Sequence, residues 1–214
     1  MNCEVFDLKE LEVEYYQVRE VLRCILHTIM FNRALGLIRP KEVESMLFDI
    51  TYVQTGDPGI EKKIEEKIDQ FCTWVDKHPN KKGQVCLSFF EERKISWFTR
   101  PDRLYWERWF VRLNVVRATS SAGGSFGNDS ATYLDSAEEP NRKHATLEVA
   151  VRDTIMRILQ LVNEKRDHIP PPVESTDAVT FPYEISFPSS SSDSSFGMDI
   201  LKRIMQTNPP AMLS

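Results

Sequence analysis

The segment Gly123 to Gly127, with Ser125 at its centre, has the G-x-S-x-G spacing that exposes a serine nucleophile on a strained turn. Such an elbow works only between a buried strand and a helix, with a histidine and an acid brought close. Ser125 instead sits in a stretch rich in Gly, Ser, Ala and Asp, with no helical pattern after it. The sequence therefore favours a linker over a small serine hydrolase. No Gly-Lys-Ser/Thr follows these glycines, so they do not form a phosphate-binding loop. The four histidines, His27, His78, His144 and His168, are isolated from one another and from carboxylates at ligand spacing. Tetrahedral zinc needs convergent Cys and His ligands, and no metal site is expected here. Glu91-Glu92 and Glu138-Glu139 are adjacent carboxylates, which seldom face one another and read as solvated surface. No catalytic residue, cofactor or metal is expected, and the chain does not read as an enzyme.

The residues that stand out are aromatic. Trp97 and Phe98 are adjacent, flanked by Lys94, Arg100 and Arg103, between two strand-like stretches. Connecting segments run over the surface and are usually polar. A Trp-Phe pair in one either packs inward or is presented to a partner, because large rigid aromatics anchor interfaces at low rotamer cost.

The elements that must position this pair follow from periodicity. Glu10 to Glu14 alternates as a half-buried or edge strand does. Val18, Val21, Leu22, Ile25, Leu26, Ile29 and Met30 recur at helical spacing, with Gly36 as a stop. Leu47 to Val53 reads as a strand. Asp57-Pro58 then opens a second helix with an N-cap and a proline in the first turn. Its stripe is Ile60, Ile64, Ile68, Phe71 and Val75, and it ends near His78-Pro79. Gln84 to Phe90 and Tyr105 to Val116 are expected to be neighbouring antiparallel strands. In the second, alternation puts Tyr105, Trp109, Val111, Leu113 and Val115 on the core face, and Trp106, Arg108, Phe110 and Arg112 on the other. A third helix has the stripe Leu147, Val151, Ile155, Ile158, Leu159 and Val162, and Pro170 to Pro172 stop it. Phe181 to Phe187 reads as an edge strand, and a short amphipathic helix carries Ile200, Leu201, Ile204 and Met205. This order favours an α+β fold with helices against a mainly antiparallel sheet.

The chain has 214 residues, 41% of them hydrophobic and 28% charged, which fits one domain spanning 1–214 with a mobile insertion at about 118–145. The formal net charge is −5, and no basic stripe is present to neutralise phosphates, which argues against nucleic acid. Cys3, Cys24, Cys72 and Cys86 are widely spaced, as reduced thiols of a cytosolic protein are. No apolar run reaches membrane-spanning length, and neither a secretory signal nor a myristoylation glycine is expected at the start. Asn128 to Ser130 is a glycosylation sequon on paper only.

Eight stretches carry a resemblance. They are Met1 to Val5, Leu22 to Thr28, Ala34 to Pro40, His78 to Lys82, Ser96 to Thr99, Leu104 to Glu107, Asn163 to Lys165 and Phe196 to Asp199. Their order and coverage resemble the autophagy-related protein 101 family, particularly its plant-type members. That resemblance implies a HORMA fold, with three main helices on one side of the sheet and a C-terminal strand plus short helix. It further implies a heterodimer with the HORMA domain of autophagy-related protein 13, within the autophagy-initiation kinase complex. Trp97 and Phe98 would then form an exposed "WF finger" that recruits downstream autophagy factors. A cytoplasmic protein recruited to the preautophagosomal structure, in an open-like and non-clasping form, is implied as well. The alternative within the same fold is a peptide-clasping adaptor of the checkpoint or meiotic kind. The third helix is the candidate dimer face by the same analogy.

Overall fold

The computed structural model describes residues 3–36, 38–79, 82–93, 102–116, 135–171 and 179–187, the side chains of 135–140 excepted. Strands β1 (Glu4–Asp7) and β2 (Leu11–Glu14) precede a 3-10 turn at Tyr15–Gln17 and helix α1 (Val18–Asn32). Strands β3 (Lys41–Glu44) and β4 (Thr51–Gln54) form a separate antiparallel pair. Helix α2 (Pro58–Lys77), strands β5 (Gly83–Arg93) and β6 (Asp102–Val116), helix α3 (Asp135–Glu164) and strand β7 (Tyr183–Ser186) follow.

The main sheet runs β1-β6-β5-β7, with β2 in line with β1 along the same edge of β6. Two of its pairings, β5 with β6 and β5 with β7, are antiparallel, while β1 and β2 run parallel to β6. The fold is α+β, as the element order predicts. β7 pairs only with β5 among the described residues, which fits its reading as an edge strand.

Helix α1 is the centre of the core. Its apolar stripe is buried throughout, and Cys24, His27 and Thr28 on its other sides are buried too. A helix enclosed on nearly every side must have neighbours all round, and α1 packs against α2, α3 and β4. The bidentate pair of Arg23 with Glu65, 2.7 Å at both nitrogens, joins α1 to α2. Helix α2 begins as its sequence signals require. The Asp57 carboxylate accepts from the Ile60 N–H at 2.8 Å, and Pro58 occupies the first turn. Phe71 of α2 lies so close to β5 that a Cβ at Gly83 would sit 2.5 Å from its ring, so glycine is what lets helix and strand meet.

Four expectations need correcting. The stretch from Leu47 is not strand until Thr51, because the Ser45 hydroxyl accepts from the N–H groups of Leu47 and Phe48 and folds them into a turn. α1 ends at Asn32, before Gly36, with the Arg33 N–H closing on the last carbonyls of the helix. α3 starts at Asp135, inside the stretch read as insertion and well before its apolar stripe. The faces of β6 are also not a simple alternation. Phe89 pairs with Glu107 but Phe90 pairs with Tyr105, so Trp106 is the extra residue of a β-bulge. The bulge turns Trp106 into the core, where it is fully buried against Phe89 and Phe181. Tyr105 thereby moves to the other face, beside Arg108 and Phe90. The helix expected around residues 200–205 lies outside the described residues.

One buried titratable group makes the core pH-sensitive. Burial pushes the His27 imidazole down to about 4, and its Nδ1 has no hydrogen-bond partner among the described residues. Its folded value lies below the ordinary 6.5, so the neutral ring favours the folded state fully above that pH. That contribution is lost as pH falls from about 6.5 to about 4, by about 3 kcal/mol. Urea unfolding at stepped pH checks this: His27→Leu should flatten the fall in stability across that window.

Candidate functional site

Trp97 and Phe98 fall in 94–101, outside the described residues; the structure describes the arm that carries them. β5 and β6 are paired out to Arg93 and Asp102, so the segment containing Trp97 and Phe98 joins the far end of an antiparallel hairpin. The base of this arm is braced on one face. The Arg103 guanidinium lies 4.6 Å from the Phe90 ring centre, and the Arg108 guanidinium 4.3 Å from that of Tyr105. Phe90 and Tyr105 meet edge-on at 5.5 Å. Glu184 of β7 accepts from Arg103 at 3.0 Å and from the Tyr105 hydroxyl at 3.1 Å. Burial, with the charge of Glu184, raises the Tyr105 hydroxyl above its ordinary value, so it remains a donor at neutral pH. The bulge makes this arrangement possible, because it puts Tyr105 on the face where Phe90 and Glu184 can reach it.

Beneath the arm, on the core face, lies a buried ionic cluster that the sequence reading missed. Glu107 is fully buried and accepts from Arg33 Nε at 2.9 Å and Nη2 at 2.9 Å, from Trp109 Nε1 at 2.5 Å and from His168 Nε2 at 2.6 Å. Burial alone would push the Glu107 carboxyl up. The hydrogen bonds from His168, Arg33 and Trp109, with the Arg33 charge, outweigh burial and hold it below the ordinary carboxylate value. A glutamate paired with a histidine invites an acid-base reading. Here every donor is a fixed protein group and the carboxylate has no exposed surface, so the cluster is a tie between elements. The signal available in the sequence was an acidic residue in step with Trp109, Val111, Leu113 and Val115, the apolar alternation of β6.

A third feature is apolar and outward. Val149 and Met156 of α3 are 52% and 61% exposed, and Met46 is 84% exposed in the turn before β4. That turn is held against α3, since the Asp49 N–H donates to Glu148 and Arg152 donates to the Asp49 carbonyl. The signal for this face lay in apolar residues that fall off the buried stripe of α3.

Among the described residues, no group of three His, Cys, Asp or Glu could hold a metal ion, and no helix is long and apolar enough to cross a membrane. Burial pushes the Cys24 thiol up to about 12 and raises Cys72 and Cys86, so none of these is a ready thiolate. Ser125 lies outside the described residues.

The described residues form an α+β domain with a long hairpin arm and an outward apolar helix face. The protein-family model described as Autophagy-related protein 101 matches residues 10–177, and the chain belongs to that family. It is 51% identical to Autophagy-related protein 101 of Arabidopsis thaliana over the full length of both chains. The Schizosaccharomyces pombe protein of the same name is 25% identical over 85% of each chain. The Homo sapiens one is 25% identical over 54% of this chain and 59% of its own.

The cluster and the brace should differ sharply in energy. Glu107→Ala leaves the Arg33 charge buried without a partner and should cost about 3–5 kcal/mol in urea unfolding. Glu184→Ala removes partners from half-exposed groups and should cost about 1 kcal/mol or less.

Proposed function

We propose that this protein is a non-enzymatic adaptor subunit of the autophagy-initiation kinase complex, built on a HORMA-like domain spanning 1–214. It pairs with the HORMA domain of autophagy-related protein 13 and recruits downstream autophagy factors through an exposed Trp97-Phe98 finger. The carrying observation is the braced β5–β6 arm, which holds the ends of the Trp97-Phe98 segment together. Family membership supports the autophagy setting. The HORMA-like reading is supported by three helices packed with a mostly antiparallel sheet.

The partner face is the outward side of α3 with the adjoining turn. Met46, Val149 and Met156 offer a flexible apolar surface with no partner in the monomer, the kind of patch that marks a protein interface. The stretch from about 118 up to the start of α3 is an insertion in the domain, and the protein works in the cytoplasm and at the preautophagosomal structure.

Light scattering on a mixture with the HORMA domain of autophagy-related protein 13 should give a stable one-to-one complex, and Met156→Asp should weaken it at least about tenfold. A persistent monomer would remove the pairing from this reading. Trp97→Ala with Phe98→Ala should leave the thermal transition and the heterodimer intact. The same double variant should weaken capture of downstream factors by about 2 kcal/mol per aromatic. Loss of the cooperative transition would instead make the pair part of the core.

A further inference from the structure

We infer that the cleft between the outer edge of β2 and helix α3 takes up an extended partner peptide as an added strand, with apolar and basic residues in alternation. This goes beyond the adaptor reading and does not depend on it. The cleft has a volume of about 630 Å³, and every residue from Leu8 to Glu14 borders it. Residues of both sheet faces line one cavity only where the cavity runs along the edge of a strand. Among the described residues β2 pairs with β6 alone, so every second residue turns its N–H and C=O to the outer edge. There the Gln17 side chain takes the Glu14 N–H at 2.9 Å, and the remaining outer groups border this cleft. An unpaired edge beside a helix is the geometry in which a peptide gains affinity from backbone hydrogen bonds and specificity from alternate side chains.

The two walls define those side chains. On the helix side the buried Leu11 and Val13 meet Leu147, Ala150 and Thr154 of α3, where small and apolar groups leave room for aliphatic side chains. On the opposite sheet face Glu12 projects into solvent beside Glu14, and a cross-strand basic residue there would gain an opposite charge. Arg142, Lys143 and Arg157 outnumber Asp153 on the helical wall and disfavour Lys or Arg in the inward positions. The occupant is therefore a strand with aliphatic residues facing α3 and Lys or Arg facing Glu12. A helical ligand is disfavoured, because it would leave the strand edge unsatisfied.

The test is fluorescence anisotropy on the full-length protein with a labelled nonapeptide of alternating Lys and Val. One control has the same composition with its valines contiguous. A second carries N-methyl groups on alternate residues, which removes ladder donors. The alternating peptide should bind saturably and at least about tenfold more tightly than either control. Thr146→Trp, which fills the cleft from an exposed position, and Glu12→Lys, which reverses the outer charge, should each weaken it at least about tenfold while keeping the parent thermal transition. Absence of saturable binding overturns the inference. Equal binding of the contiguous control also overturns it, since attraction to a chain of net charge −5 would then account for the signal. So does indifference to Thr146→Trp.

Discussion

The carboxylate of Glu107 is the point on which the rest of the architecture hangs. It sits in the core face of β6 and receives the end of α1 through Arg33, the segment after α3 through His168, and its own strand through Trp109. Arg33 and His168 lie far from Glu107 in sequence, and each brings an element to the same place on the sheet. A buried charge of this kind is weak evidence for stability, because two ions must lose their water before they attract. Its effect is on uniqueness. A hydrophobic contact tolerates a slide of an ångström or two, whereas a bidentate guanidinium with two further donors fits one geometry only.

The bulge at Trp106 is the local consequence. With Phe89 opposite Glu107 and Phe90 opposite Tyr105, the strand gives the core two successive side chains, Trp106 and Glu107. The indole fills space beside Phe181 and His168, while the carboxylate collects donors. Beyond the bulge the faces are exchanged, which is how the outer half of β6 acquires the Tyr105 contact to Phe90 and Glu184. One inserted residue thus serves both the buried cluster and the arm above it.

Much of this was legible in the sequence where the signal is local. The N-cap at Asp57, the stripe of α2 and the apolar stripe of α1 describe themselves within a few turns of helix, and both helices lie where periodicity puts them. β5 and β6 were visible as neighbours for the same reason. What alternation could not carry was the bulge, because a period-two pattern has no mark for a skipped residue, so Tyr105 and Trp106 were assigned to each other's faces. β1 and β3 are four residues long and their sequences, EVFD and KEVE, hold too few apolar positions for a period to emerge. The cluster of Arg33, Glu107 and His168 was invisible because its members are brought together only by the tertiary fold. For the proposed docking residues the position is reversed: Trp97 and Phe98 stand out by chemical type, and they lie outside the described residues.

The tandem placement of β1 and β2 has a consequence for how the chain comes to be made. Glu4 pairs with Glu107 and Glu14 with Val116, so the first two strands wait for partners about one hundred residues downstream. At ribosomal speeds of about 5–20 residues per second, that delay is about 5–20 s. Throughout it, Phe6, Leu8, Leu11 and Val13, all buried in the finished protein, have no sheet to join. Pairings of such long sequence separation are slow to close even in a released chain. The nascent stretch from Glu4 to Glu14 is thus an amphipathic ribbon with an open edge, its apolar side uncovered until β6 leaves the exit tunnel.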